Sequence, residues 1–216
     1  MIQYVWEAAR ETRSLGDVVI ATGDAHVAQE AEKFGGKVFP TPGVFDSGTD
    51  RVAFVARSNA SPIIVNLQGD EPLLKPAMIE RLVSELREAK GADLATLAVR
   101  KKDPIQLSDP NVVKVVLSKN SEALYFSRQA LAMNREGEFY KHIGIYAYRR
   151  DALLQICQWS PSPLETLERL EQLRALENGM TIKVVLVDND TIAVDTPEDL
   201  ARVESEIQQR KGPHEK

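Results

Sequence analysis

Short apolar runs alternate along the chain with segments in which apolar residues recur every three or four positions. Residues 63–67 and 182–187 are apolar runs of strand length, whereas Met78 and Leu82, which follow Pro76, have the spacing of one helix face. Strands that alternate with helices are typical of an α/β protein with a mainly parallel sheet. No internal repeat or second domain is indicated, so one domain is predicted over residues 1–216.

The middle of the chain has a different pattern, with strand-like runs and little helix between them. These runs cover residues 94–99, 112–117, 123–126 and 142–148. Lys119-Asn120 lies between the second and third runs and is a plausible hairpin turn. We therefore expect an antiparallel subregion inserted at roughly residues 100–150, of the kind that forms a substrate lid or a dimer contact. Further on, helices are predicted over residues 164–178 and from Pro197 to about residue 210.

The first of those apolar runs stops abruptly at a group of polar residues, Asn66, Gln68, Gly69, Asp70 and Glu71. Ligands of open α/β sheets collect outside the carboxyl ends of the strands, and Gly69 would let the backbone approach one closely. Asp70 would offer an oxygen ligand to Mg²⁺.

A second acidic residue, Asp195, follows another apolar stretch just before the helix that Pro197 can start. Asp70 and Asp195 together suggest a metal-assisted phosphate site. Acidic residues after strands are also common as plain helix N-caps, and the spacing does not decide between the two interpretations.

The loop Ser47-Gly48-Thr49-Asp50-Arg51 runs into a predicted helix. Its backbone N–H groups could receive an anion or a nucleobase edge, but the spacing favours an ordinary helix cap. The sequence contains neither a Walker pattern nor a G-x-G-x-x-G fingerprint, which argues against a P-loop NTPase and an NAD dehydrogenase.

Other candidate residues come from the second half of the chain. Arg128 ends a predicted strand, where it could bind a carboxylate or phosphate or lie at the surface. Alternation along the next strand places His142, Gly144 and Tyr146 on one face, which could line a pocket or meet solvent. The carboxylates near Glu171 have the pattern of a solvated helix face.

Composition excludes several classes of protein. The chain is 43% hydrophobic and 27% charged, and no segment is apolar enough to span a membrane. A net charge of −5 argues weakly against bulk nucleic-acid binding. The single cysteine, Cys157, excludes an internal disulfide, fits a reducing compartment and is expected to be buried packing. The three histidines have no metal-ligand spacing, and we expect a cytoplasmic protein.

Taken together, these segments closely resemble the 3-deoxy-D-manno-octulosonate (Kdo) cytidylyltransferases, also called CMP-Kdo synthetases. The resemblance runs from the first helix to the last and is carried by the order and number of its motifs. These are Asp46-Ser47-Gly48-Thr49-Asp50-Arg51, Val65-Asn66-Leu67-Gln68-Gly69-Asp70-Glu71-Pro72, Asn111-Val112-Val113-Lys114-Val115-Val116, Ala123-Leu124-Tyr125-Phe126-Ser127-Arg128, His142-Ile143-Gly144-Ile145-Tyr146, Ser162-Pro163-Leu164-Glu165, Leu170-Glu171-Gln172-Leu173-Arg174 and Val194-Asp195-Thr196-Pro197-Glu198-Asp199-Leu200. The motif around Glu171-Gln172 favours a Kdo enzyme over the related enzymes that activate sialic acid.

The resemblance implies a Rossmann-like nucleotide-diphospho-sugar transferase fold, and an enzyme of lipopolysaccharide assembly that makes CMP-Kdo and pyrophosphate from CTP and Kdo. Asp70 and Asp195 would hold Mg²⁺ as the catalytic pair, and Lys114 would help to make the site positive. A homodimer is also implied. The residues implied for the Kdo pocket are Gln68, Arg128, His142, Tyr146, Glu171 and Gln172. The residues implied near the cytosine and ribose are Ser47, Gly48, Thr49, Asp50 and Arg51.

One departure from the family pattern concerns the start of the chain. Family members begin with a central strand and a loop of the form I-P-A-R-x-x-S-x-R-x-P-x-K, which grips the triphosphate, whereas this sequence begins at the helix that should follow. We expect a gap flanked by apolar strand edges, reduced stability and little activity without that segment. Three rivals stay open: a cytidylyltransferase for sialic acid or amino-Kdo, a non-catalytic nucleotide-binding or dimerising remnant, and an α/β protein with no nucleotide role.

Overall fold

The structure is a computed structural model that describes residues 1–131, 134 and 136–211. Helices and strands alternate through the first third of the chain, as predicted. The helices are α1 (Ile2–Glu11), α2 (Ala25–Lys33), α3 (Gly48–Ala56), α4 (Pro76–Glu88), α5 (Pro104–Ser108), α6 (Arg150–Ile156), α7 (Pro163–Glu168), α8 (Gln172–Glu177) and α9 (Pro197–Lys211). The strands are β1 (Ile20–Thr22), β2 (Val38–Pro40), β3 (Ile63–Asn66), β4 (Leu94–Lys101), β5 (Lys114–Leu117), β6 (Ala123–Ser127), β7 (Phe139–Arg149) and β8 (Ile182–Val187).

A mixed six-stranded sheet has the order β6-β5-β7-β4-β8, with β3 also paired to β7. Along one edge, β7 pairs first with β5, where Lys114 faces Lys141, and then with β3, where Asn66 faces Tyr146. Strands β3, β4, β5 and β8 point in the same direction, but β7 runs against its neighbours. The α/β fold with an antiparallel subregion is thus confirmed, with the predicted hairpin joining β5 and β6. The main sheet is mixed rather than mainly parallel, because β7 is antiparallel to β3, β4 and β5 and, among its described strands, only β4 and β8 form a parallel pair.

The two faces of the sheet follow the alternation along β7. Ile143 and Ile145 point toward α1 and α4, where they join an apolar core with Leu82. Tyr146 points to the opposite face and joins the core under α3, α6 and α8. The prediction that His142, Gly144 and Tyr146 share one face is therefore confirmed, because side chains of a strand alternate between the faces of a sheet.

A separate pair of parallel strands, β1 and β2, stands beside the main sheet. An apolar groove of about 590 Å³ runs between β1 and β3 and is also lined by α1 and α3. Side chains that line it include Val5, Ile20, Val52, Ile64 and Val65.

Two predicted elements need correction, and one helix was missed. The helix expected over residues 164–178 is two short helices, because Arg169 ends α7 in the left-handed conformation with φ of 56°. Asp195 does not end a strand, since β8 stops at Val187 and a loop follows. Helix α5, which Asp103 caps by accepting two backbone N–H bonds, was not predicted.

Candidate functional site

A cleft of about 690 Å³ opens where β3 ends and where β7 exchanges β3 for β5 as its neighbour. Loops from distant parts of the sequence meet there, as expected for the carboxyl end of a strand. The predicted site residues that line this cleft are Ser47, Gly48, Thr49, Asp50, Gln68, Asp70, Arg128, His142, Tyr146, Glu171, Gln172 and Asp195. Arg51 is the predicted residue that lines the apolar groove instead.

The loop that carries Asp195 is joined to Asp70 through Val194, the residue before Asp195, whose N–H donates to the carbonyl of Asp70 at 2.9 Å. Burial raises the pKa of Asp70, and the neighbouring charge of Asp195 raises it further. The Oδ1 atom of Asp70 is buried without a hydrogen-bond partner in the described structure, whereas Asp195 is exposed. A cation beside the two carboxylates would stabilise the ionised form of Asp70 and would offset its repulsion with Asp195.

The carboxylate pair fits Mg²⁺ by the chemistry of its donors. Mg²⁺ is usually held by one or two carboxylates together with substrate phosphates and water, rather than by a complete protein cage. In the described part of the chain, no group of three or more His, Cys, Asp or Glu side chains could hold a metal ion. Two carboxylates at an open cleft are therefore suited to an ion that arrives with a phosphate.

A buried ionic group borders the carboxylate pair. Glu71 is 5% exposed, and burial raises its pKa to about 7. Asp190 accepts from Lys101 at 2.7 Å and from Lys141 at 2.8 Å. Burial alone would raise the pKa of Asp190, but the two lysines outweigh it and hold that pKa below its ordinary value. Lys141 and Asp190 line the cleft and were missed from the sequence. The position of Lys141 directly before His142 is a signal that could have found it.

The loop before α3 is a helix cap that also borders the cleft. The Oγ of Ser47 accepts from the N–H of Asp50 at 3.1 Å and donates to its carboxylate at 2.7 Å. Arg51 turns away, donates to the hydroxyl of Thr41 at 2.7 Å and lies over the ring of Phe45. The cap interpretation of the spacing is therefore confirmed, while Ser47 and Asp50 still face the space where a ligand would lie.

Glu168 fixes the end of β6 and with it Arg128. Its carboxylate accepts from the hydroxyls of Tyr125 and Ser127 at 3.1 and 2.8 Å and from the N–H of Arg128 at 3.0 Å. The guanidinium of Arg128 donates to the carbonyls of Glu168 and Pro110, both at 3.2 Å. The arginine fork is thus held at the cleft by main-chain acceptors. Among the described residues no carboxylate forms an ion pair with it, although the charge of Glu168 is close enough to interact with it.

Lys114 does not add positive charge to the cleft as the sequence predicted. Its side chain is 1% exposed, and its Nζ donates to the carbonyls of Asp109, Val112 and Arg128 at 2.7 to 2.8 Å. Burial lowers the pKa of this ammonium group. Lys114 therefore ties together the two loops that flank Arg128, since three carbonyls use all three of its N–H donors.

Neutral and aromatic groups line the other side of the cleft. His142 is 8% exposed, and burial lowers its pKa to about 3, so the ring is uncharged at neutral pH. Its ring lies 5.0 Å from that of Phe126 and 5.5 Å from that of Tyr146. Burial also raises the pKa of Tyr146, which keeps its hydroxyl protonated.

One amide group that lines the cleft has a buried donor without a partner. The Nε2 of Gln172 is buried and has no hydrogen-bond partner among the described residues. Gln172 begins α8, three residues after the break at Arg169, so the break is what turns it toward the cleft. A buried donor is costly unless a ligand or water accepts from it, so Gln172 marks a binding site for an oxygen-rich group. The Nδ2 of Asn66 is also buried without a described partner, but Asn66 lines the apolar groove.

The cleft thus has three chemically distinct parts. Two carboxylates suit a divalent cation, a fixed arginine suits an anion, and neutral amide, imidazole and hydroxyl groups suit a polyhydroxylated ligand. Such a combination can bind two anionic partners together and position them with a metal ion. It lacks, among the described residues that line it, a histidine with a pKa near neutrality.

Comparison with known proteins agrees with this geometry. A family profile described as cytidylyltransferase matches residues 1–182. The chain is 45% identical over 217 aligned positions to a 3-deoxy-manno-octulosonate cytidylyltransferase of Geotalea uraniireducens, covering 94% of this chain and 86% of that protein. It is also 45% identical to an 8-amino-3,8-dideoxy-manno-octulosonate cytidylyltransferase of Shewanella pealeana, covering 96% and 87%.

A solved structure of a CMP:2-keto-3-deoxy-manno-octonic acid synthetase complexed with CTP superposes with a TM-score of 0.90 at 38% identity, covering 97% of this chain and 88% of that one. A 4-diphosphocytidyl-2C-methyl-D-erythritol synthase from Anaerococcus prevotii is 14% identical with a TM-score of 0.60, a likeness of fold. Within the described residues, no helix is long and apolar enough to cross a bilayer.

Proposed function

Because the chain belongs to the cytidylyltransferase family of the 3-deoxy-manno-octulosonate enzymes, we propose that it couples CTP to Kdo and releases pyrophosphate. The observation that carries the proposal is the pairing of Asp70 with the loop of Asp195 at the carboxyl end of β3. A neutral imidazole and the unpartnered amide of Gln172 lie in the same cleft. A relative at 45% identity is named 3-deoxy-manno-octulosonate cytidylyltransferase.

In the proposed reaction, the anomeric 2-hydroxyl of Kdo attacks the α-phosphorus of CTP. A new P–O bond forms as the bond to the pyrophosphate leaving group breaks. Asp70 and Asp195 would hold Mg²⁺, which when bound offsets the negative charge of the phosphates and favours ionisation of the attacking hydroxyl. Holding the two substrates in the reactive geometry supplies much of the acceleration that the metal ion does not supply. The fixed side chains of the cleft provide that positioning.

The two substrates would occupy different parts of the cleft. Arg128 is the natural partner for the Kdo carboxylate, because a guanidinium matches a carboxylate with two parallel donors. Gln172 would donate to the sugar hydroxyls through the Nε2 that has no described partner. The nucleotide would lie between the α3 cap and Gln68, where Gly48 leaves space beside the Gln68 amide.

The sugar can be identified with a substrate panel. Purified protein would be incubated with CTP, Mg²⁺ and Kdo, 8-amino-Kdo or sialic acid, with pyrophosphate release as the readout. We expect Kdo to give the highest kcat/KM. A preference for 8-amino-Kdo would move the assignment to the class of the Shewanella relative. No turnover of any sugar, even by a version extended with the upstream strand and phosphate loop that the family pattern predicts, would favour a non-catalytic remnant.

We further propose a homodimer, as the family implies. Strand β6 lies at an edge of the main sheet, and Leu124 on it is 60% exposed. Leu167, on the α7 helix that Tyr125 and Glu168 connect to β6, is 75% exposed. Sedimentation equilibrium of the protein and of Leu124→Asp tests this assembly, with a dimer expected for the first and a monomer for the second. A monomeric parent protein would contradict it.

A cytoplasmic location is proposed on chemical grounds. The thiol of Cys157 is partly buried and its pKa is raised to about 12 by burial, which makes it inert and compatible with a reducing compartment. Fractionation of cells followed by immunodetection is the direct test, and recovery from the periplasm would contradict the proposal.

A further inference from the structure

The hydroxyl of Thr96 lies at an irregularity between two central strands. The pairing of β4 with β7 shifts register between Thr96 and Leu97, so that Gly144 and Ile145 have no partner on β4. The Oγ1 of Thr96 is 2.8 Å from the carbonyl oxygen of Ile145 and 3.2 Å from that of Ile143. Thr96 is completely buried, so this hydroxyl must be satisfied within the protein.

The same oxygen lies 2.9 Å from the Nε2 of His142. A threonine hydroxyl has one hydrogen, and a carbonyl oxygen can only accept. If that hydrogen pointed to His142, the oxygen lone pairs would face the Ile145 carbonyl at 2.8 Å without a hydrogen between them. The arrangement without this repulsion has Thr96 donating to Ile145 and the Nε2–H of His142 donating to Thr96. The hydroxyl of Tyr146, which also interacts with Thr96, carries its own hydrogen and can donate to the second lone pair of the Thr96 oxygen.

The protonation state of the other ring nitrogen of His142, Nδ1, follows from this arrangement. An uncharged imidazole carries one hydrogen, so Nδ1 has a lone pair. No described residue hydrogen-bonds to Nδ1, and it is not among the buried atoms that have no partner. His142 lines the cleft, so Nδ1 meets the space that a ligand would fill.

We propose that Thr96 is a positioning residue that fixes His142 as the Nε2–H tautomer, so that Nδ1 accepts a hydrogen bond from a hydroxyl of the acidic sugar. The identity of the ligand rests on the proposed function, whereas the tautomer of His142 follows from its contact with Thr96 and does not depend on that function. It assigns His142 to hydroxyl recognition and leaves the carboxylate to Arg128. An Nδ1 lone pair would repel a carboxylate, so the two groups select different functional groups of the sugar.

Nitrogen-15 NMR of the histidine rings tests the tautomer without any ligand. The sequence has three histidines, and His142→Gln identifies the signals of His142. We expect a protonated Nε2 and an unprotonated Nδ1 in the parent protein and in Thr96→Ser, which keeps the hydroxyl. Thr96→Val removes it and should produce a mixture of tautomers.

Kdo binding by the same variants is followed by calorimetry in the presence of Mg²⁺. We expect Thr96→Val to weaken Kdo about three- to tenfold, the effect of one misdirected hydrogen bond, with CTP affinity unchanged and with recovery in Thr96→Ser. An Nδ1–H or a charged ring in the parent protein would overturn the inference, as would unchanged tautomer and Kdo affinity in Thr96→Val. If Thr96→Val does not fold, the spectra of the parent protein and Thr96→Ser decide the tautomer. Failure of the parent protein to bind Kdo would count against the proposed function instead.

Discussion

At the scale of single residues, Asp70 shows how a site can weaken the fold that carries it. Its carboxylate is partly buried, one of its oxygens has no described partner, and Asp195 lies near it. All three conditions favour the protonated acid over the anion. A metal ion with its substrate would reverse that preference. Binding would therefore offset the unfavourable free energy of holding the two carboxylates together.

The variant Asp70→Asn should therefore separate activity from stability. We expect at least about a hundredfold loss of turnover, because the amide is a poor ligand for Mg²⁺. The melting temperature without metal should be at least as high as that of the parent protein. Thermal unfolding with and without Mg²⁺ checks this, and only the parent protein should be stabilised by the ion. Asp151→Asn, at a side chain that is 98% exposed, is the matched control. A metal-free variant that melts well below the parent protein would contradict the account.

His142 gives the fold a dependence on pH. Its pKa of about 3 in the folded protein lies below the ordinary value of 6.5, so the ring stays neutral while the unfolded chain takes up a proton. Stability is therefore fully present above about pH 6.5 and is lost as the pH falls toward about 3, by about 1.4 kcal/mol per pH unit. Urea unfolding of the parent protein and of His142→Gln between about pH 7 and about pH 5 measures this loss. Equal slopes for the two proteins would show that His142 does not cause it.

Residues of the cleft could be predicted where a motif placed them beside a strand end, as with Gln68, Asp70 and His142. Arg51 and Lys114 were assigned to ligand binding, yet their side chains turn to Thr41 and to three backbone carbonyls. The direction of a long flexible side chain depends on acceptors from other elements, which spacing along one element does not contain. The contact between Thr96 and His142 could not be predicted for the same reason, because it joins side chains of two different strands.

At the scale of elements, the break between α7 and α8 is what shapes the sugar side of the cleft. The capping box of Ser162 and Glu165 begins α7, and Arg169 ends it. Glu165 then forms a two-pronged ion pair with Arg174 of α8, at 2.7 and 2.5 Å, and both side chains are nearly buried. The pair joins the two helices at the angle that turns Glu171 and Gln172 inward.

Removing one member of that pair should be more damaging than removing both. Arg174→Leu leaves the Glu165 carboxylate buried without a cation, so we expect a loss of about 3–5 kcal/mol in the free energy of unfolding. The double variant Glu165→Leu with Arg174→Leu should lose less than Arg174→Leu alone, because it leaves no buried charge without a partner. A double-mutant cycle by urea unfolding measures the difference. Strict additivity would mean that the pair does not hold the two helices.

Apolar periodicity made most elements predictable, since the boundaries of β3, β8 and α9 lie within about two residues of expectation. It also favoured one continuous helix over residues 164–178, because Leu167, Leu170 and Leu173 retain helical spacing across the break. The left-handed conformation of Arg169 has no glycine or asparagine to signal it. That break is stabilised by the ion pair between Glu165 and Arg174, which lie on opposite sides of it, and apolar periodicity does not report such a pair.

At the scale of the whole molecule, the protein divides into a large sheet with strong cross-strand support and a small strand pair. Strand β7 pairs with β3, β4 and β5, so the main sheet is connected through its centre. Strands β1 and β2 are three residues each, and β1 lines the apolar groove beside β3. Exchange of strand neighbours along β7 depends on contacts between distant segments, which is why the sheet order was not predicted in detail.

Hydrogen exchange should reveal this division. A two-stranded ribbon is marginally stable without further strands, so the amides of β1 and β2 should exchange well before those of β4, β7 and β8. Mass spectrometry of peptides after deuterium labelling is the measurement, with unlabelled and fully exchanged protein as references. Equal protection in both sheets would contradict the division and would show that the groove does not weaken the smaller one.

The most direct test of the central claim follows the phosphorus atom itself. CTP labelled at the α-phosphate would be incubated with Kdo, Mg²⁺ and the protein, together with a version that carries the upstream strand and phosphate loop of the family. The account predicts that at least one of the two versions forms labelled CMP-Kdo and unlabelled pyrophosphate. Both products should be lost when that version carries Asp70→Asn. Product formation that survives Asp70→Asn, or no CMP-Kdo from either version, would contradict the claim that this cleft is a CMP-Kdo synthetase site.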